Sequence, residues 1–217
     1  MDRTIKQTIA VIASLFLLFL AVYGSYMPMR KAEMFIGTLQ SFQTQPVSSL
    51  SELESRLSTP LDYPSPVGQE ELVRNTANSV LSFVQRGTDA TSTAELIGYL
   101  RKYYDPIIER GRGMSFEQDL YLLGAINEVA YTRTSDPAYL QDAAHYYGEG
   151  VQLGPNRPQS LYGLFDIYRF AGDAKDSVAT AEKILSLWPN DQNVQASLNQ
   201  FLQSLQKATS TSAKKAK

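Results

Sequence analysis

Residues 158–191 constrain the fold more tightly than any other stretch of this chain. Leu161, Leu164, Ile167 and Tyr168 recur at helical spacing before a break at Gly172 and Asp173, and Val178, Ala181, Ile184 and Leu185 recur after it. Each of the two helices so predicted is apolar on one side only. A lone pair of such helices cannot bury both faces, so the hairpin must stack on others like it. The punctuation agrees with that reading. Pro158 suits the first turn of a helix, Gly172 offers the left-handed conformation that ends one, and Asp173 can cap the next. Trp188, Pro189, Asn190 and Asp191 stop the second helix.

Composition narrows the function classes. The chain has 217 residues, enough for an anchor plus one domain of roughly 150 residues. Its net charge of −2 gives no electrostatic case for nucleic acid. Cysteine is absent, which excludes disulfides, thiolate metal sites and cysteine nucleophiles. The single histidine, His145, leaves little material for a metal site or a catalytic relay, and reads as a packed or surface residue of a helix. Gly111, Arg112 and Gly113 follow no strand, so they make no phosphate loop. No cofactor, no metal and no enzymatic activity is expected.

At the N-terminus, residues 7–29 carry no charge and are dominated by Ala, Val, Ile, Leu and Phe. That is long enough to span a bilayer, which needs about 20 residues of helix. Tyr23 and Tyr26 fall where an aromatic belt would lie, and Arg30 and Lys31 close the far end. A cleaved signal peptide is the alternative, since residues 22–24 can satisfy a small-residue cleavage rule. Arg3 and Lys6 before the span match Arg30 and Lys31 after it, so the positive-inside count ties. The short leading tail, residues 1–6, favours a signal anchor that sends the C-terminal part outward.

Residues 30–68 read as juxtamembrane helices and a loop. Ala32, Phe35, Ile36, Leu39 and Phe42 share one helical face, Ser48 or Ser49 caps a short helix bearing Leu50, Leu53 and Leu57, and three prolines predict a loop over 58–68. Helices are predicted from Gln69 to Arg86, from Ser92 with a kink or restart at Asp105 and Pro106, and from a capping box at Ser115 and Gln118. Residues 115–157 form a second helical hairpin closed by Gly154, Pro155 and Asn156. Residues 192–207 form a polar capping helix, and 208–217 a disordered tail. The fold class expected is all-α: one N-terminal transmembrane helix, then an array of helical hairpins over 69–207, an α-solenoid.

The hairpin resembles the tetratricopeptide repeat. Leu161, Leu164, Tyr168, Gly172, Ser177, Ile184 and Pro189 fall at that repeat's signature offsets within about 34 residues. It departs from the repeat at Phe165 and Ile184, where small residues are usual, and at Ala181, where an aromatic is usual. Large and small side chains are thereby exchanged at the seam, roughly keeping total volume. Short strings at 63–71, 136–140 and 155–159 are similar to the repeat tail of bacterial O-antigen ligase-like membrane proteins. The many spans and the catalytic loop of those ligases have no counterpart here, so the resemblance implies architecture and an envelope context but no catalytic residue.

In tetratricopeptide repeats the first helix of each pair lines the concave face. The resemblance therefore implies that Tyr162, Asp166, Arg169 and Phe170, with Tyr121 and Glu128 from the preceding unit, face a protein or peptide in a groove. The same residues can instead be solvated or core. The numerous tyrosines suggest either repeat seams or a sugar-stacking surface. The function expected is a non-enzymatic scaffold at the bacterial inner membrane, single-pass, with the repeats outside the cytoplasm and another envelope protein as partner. The alternative is an accessory or split tail of an O-antigen ligase or polymerase-like glycan assembly system.

Overall fold

The computed structural model describes residues 2–87 and 89–215, the side chains of 208–215 excepted. Among the described residues every regular element is helical. Helix α1 (Arg3–Ala21), a π-helical turn (Val22–Tyr26) and α2 (Met27–Thr44) run as one helix of 42 residues. Its apolar window has a mean hydropathy of 2.2 and none of it is buried, so the helix is long and apolar enough to cross a membrane. Pro28 accounts for the π turn. A proline ring lacks an N–H and crowds the carbonyl four residues back, here Gly24. Just ahead of it, the Met27 N–H reaches five residues back to the Val22 carbonyl, which widens the turn.

The remaining helices are α3 (Leu50–Asp62), α4 (Gln69–Gly87), α5 (Ala90–Arg110), α6 (Phe116–Thr134), α7 (Pro137–Leu153), α8 (Pro158–Ala171), α9 (Ala174–Leu187) and α10 (Gln192–Lys215). They belong to two compact units, Met1–Ser79 with Ala94–Arg110, and Val80–Thr93 with Gly111–Lys217. The dividing line falls inside α4 and α5.

In the first unit α2 packs on α3, and Phe35 of α2 and Leu53, Leu57 and Leu61 of α3 are buried. Ser49 caps α3, its hydroxyl accepting the Glu52 N–H at 3.2 Å. The helix runs through Pro60 to Asp62, where the three prolines had suggested a loop from 58. Burial of Leu57, Pro60 and Leu61 on one face outweighs the hydrogen bond that proline removes. Lys31 fastens this arrangement. Only 3% exposed, its ammonium donates to the Leu61 carbonyl at 3.2 Å, the Tyr63 carbonyl at 2.7 Å and the Gln69 side-chain oxygen. Carbonyls at a helix C-terminus suit a cation.

In the second unit consecutive helices from α6 to α10 pack on one another, and α6 also meets α8. One cluster joins Ala125, Ala143, Tyr147, Leu164 and Ile167; the next joins Leu161, Phe165, Ala181, Ile184 and Val194. In the latter the large Phe165 and Ile184 sit against the small Ala181, the exchange read from the sequence. Gly172 takes φ +72°, and Asp173 caps α9 by accepting the Asp176 N–H at 3.0 Å.

Several caps differ from expectation. Ser115 has φ −124° and ψ 22°, short of the extended conformation that brings a capping hydroxyl over the first turn, and makes no side-chain cap bond. Asp89, not Ser92, caps α5, its carboxylate accepting from the Ser92 N–H at 3.0 Å and the Ser92 hydroxyl at 2.7 Å. The same helix continues unbroken through Pro106. At the C-terminus α10 carries on past Lys207 to Lys215, into the stretch expected to be disordered; residues 216 and 217 of that stretch lie outside the described residues.

Candidate functional site

Tyr147 of α7 organises the surface shared by α6 and α8. Its ring lies so close to both that a Cβ on Gly124 would come within 2.6 Å of it, and one on Gly163 closer still. Only glycine on each side admits the ring. The Tyr147 hydroxyl donates to Glu128 Oε2 at 2.7 Å, and its ring centroid lies 6.1 Å from that of Tyr121. Burial, then the nearby Glu128 carboxylate, pushes the Tyr147 phenol far above its usual range, so it stays a neutral donor.

Glu128 is where the electrostatics are most perturbed. Burial pushes its carboxyl up to about 7, the Tyr147 hydrogen bond works against that shift, and the charge of Asp166 on α8 adds to it. Burial also raises Asp166, opposed by the Arg169 guanidinium. Arg169 Nη1 donates to Asp166 Oδ1 at 2.7 Å, and its guanidinium sits 5.1 Å above the Phe165 ring. One turn further along each helix, Tyr131 of α6 and Phe170 of α8 approach with centroids 5.9 Å apart, and Phe170 is 44% exposed.

Five of the six residues singled out from the sequence therefore fall on one surface: Tyr121 and Glu128 on α6, and Asp166, Arg169 and Phe170 on α8. Tyr121, Glu128 and Tyr131 share one stripe of α6, and Asp166 and Phe170 one of α8, with Arg169 beside them joined through Asp166. Tyr162 does not join them. It turns toward the connection between α9 and α10, its ring 6.2 Å from Trp188 and its hydroxyl bonded to the Asp191 carboxylate. His145 stands exposed on α7, 3.6 Å from Glu149.

No protein-family model and no curated protein matches this chain. The surface chemistry alone then bears on function. Two carboxyls, one of them poised to ionise near neutrality, a guanidinium and an aromatic edge can hydrogen-bond a peptide backbone, accept a cationic side chain and shelter an apolar one.

Sequence reasoning missed Tyr147 as the organiser. The available signal was a pair of glycines, Gly124 and Gly163, inside helices where each is about 1 kcal/mol worse than alanine. At these two positions the missing side chain marks a close approach, whereas helical Gly98 and Gly148 have open space around them. Which ring makes the approach is a matter of three-dimensional register.

Proposed function

We propose that this chain is a membrane-anchored scaffold of tetratricopeptide-like hairpins that binds a protein partner, without catalysis of its own. The observation that carries the reading is the lateral contact of α6 with α8 while α7 packs against both. First helices standing side by side, with second helices behind them, are what a stack of hairpins requires. Such a stack leaves the first helices free to line a concave face, and the stripe from Tyr121 to Phe170 lies on them. The apolar N-terminal helix anchors the chain, which we place in a bacterial inner membrane with the repeats outside the cytoplasm.

Photo-crosslinking in intact cells tests the groove. A benzophenone side chain replacing Phe170 is expected to yield one discrete adduct, and the same group replacing exposed Glu182 on α9 none. Identical adducts from both positions, or none from either, would reject the groove. Reporter fusions after Lys217 test sidedness separately.

A further inference from the structure

The turn between α9 and α10 opens into a depression of about 740 Å³. Its floor is aromatic: Tyr162 and Trp188 lie with ring centroids 6.2 Å apart and planes inclined by 36°. Around them stand Asn190, Gln192 and Asn193. Among the described residues the side chains of these three form no hydrogen bond, nor does the Trp188 indole N–H. The only ionisable groups in the lining are already engaged. Asp191 accepts the Asn193 and Val194 N–H groups at 3.0 Å each as the α10 cap and also takes the Tyr162 hydroxyl. Asp191 keeps its negative charge, which disfavours an anionic ligand, while its oxygens already accept three donors of the protein itself.

We propose that this depression is a binding site for a neutral saccharide. The apolar C–H faces of a sugar ring stack on aromatic side chains, here the Tyr162 and Trp188 pair. Its hydroxyls both donate and accept, as do the three amides. A proline-rich peptide would fit the aromatic floor less completely. It offers chiefly carbonyl acceptors, which would satisfy the indole and amide N–H groups but leave three amide oxygens unmatched. The Tyr162 to Asp191 bond fixes one wall, so the site is formed before ligand arrives. The site is separate from the α6 to α8 surface and does not rest on the scaffold reading.

Trp188 is the sole tryptophan of the chain, so its emission reports on this depression alone. The full chain is placed in phosphatidylcholine nanodiscs, free of sugar-headed detergent, and titrated with maltohexaose, with chitohexaose and with decaproline. A saturable change in Trp188 emission with a hexasaccharide is expected. It should weaken about 10-fold or more in Asn190→Ala with Asn193→Ala, two exposed positions, while helicity and melting temperature hold. Gln192→Ala alone should weaken it by a smaller factor, and exposed Gln152→Ala on α7 should leave it unchanged. Absence of response to both hexasaccharides up to about 10 mM would overturn the site. So would equal responses in wild type and the double variant, or saturation by decaproline with no response to either sugar.

Discussion

The two units solve the same packing problem in opposite ways. In the first, Lys31 carries a charged head into a buried position and satisfies it with three oxygens drawn from residues 61, 63 and 69, some 30 positions along the chain. In the second, Tyr147 carries a ring between two helices that have given up their side chains at Gly124 and Gly163 to admit it. The first is held by polar matching, which tolerates loose shape but not a missing partner. The second is held by shape, which tolerates modest electrostatic change but not one added carbon. Long-range polar staples suit irregular segments such as the proline-bearing stretch 60–66, whereas close packing suits stacked helices.

That contrast can be broken most decisively at Lys31. Lys31→Met keeps the apolar stem but leaves the Leu61 and Tyr63 carbonyls without their buried donor, and should cost about 3 kcal/mol. Faster amide exchange in α3 is the measurement; unchanged exchange would show that water serves these carbonyls equally well. Next comes Gly163→Ala. Overpacking against the Tyr147 ring, less the gain in helix propensity, should leave a net loss of about 2 kcal/mol, read as a lower melting temperature. Adding Tyr147→Leu should recover part of the loss caused by Gly163→Ala, because the clashing ring is gone, and strict additivity of the two would deny the wedge.

A smaller effect sharpens the electrostatic side. The folded carboxyl of Glu128 titrates near 7, against 4.5 for an unperturbed glutamate. Between those values the folded state holds the proton more tightly than the unfolded chain, so Glu128 favours folding at low pH. That contribution fades as pH rises through the window. Allowing for partial exposure, the loss from pH 5 to 8 should be about 1 kcal/mol. Glu128→Gln should flatten the pH dependence of thermal unfolding over this range, and a slope equal to wild type would place the titration elsewhere. Smallest is Ser135→Gly. Ser135 ends α6 at φ 59°, a left-handed conformation that costs a residue bearing a side chain, so glycine should stabilise the second unit by about 0.5 kcal/mol in denaturant unfolding.

Much of the second unit was legible in the residues. Pro158, Gly172 and Asp173 act as the start, stop and cap that their chemistry suggests, because each works within a few positions of itself. Of the six residues that the resemblance to the repeat put on one face, Tyr121, Glu128, Asp166, Arg169 and Phe170 do lie near one another, because helical spacing sets which side chains share a stripe. Tyr162 shares that side of α8 but lies near the helix start, where its ring meets Trp188 and its hydroxyl meets Asp191. The first unit was read less well. Pro60 looks like the opening of a loop until Leu57 and Leu61 are seen buried on either side of it. Lys31 looks like a flanking charge at a membrane surface until three oxygens from beyond residue 60 close around it.

By itself the amino-acid order determined that the chain is helical, where most helices begin and end, and that one N-terminal helix is apolar enough for a bilayer. These are local properties, set by period, caps and side-chain transfer energy. Only the tertiary structure decided which polar heads are buried and which glycines face a ring. Those depend on distances between residues far apart in the chain, and a contact between distant residues leaves no trace in the spacing of either.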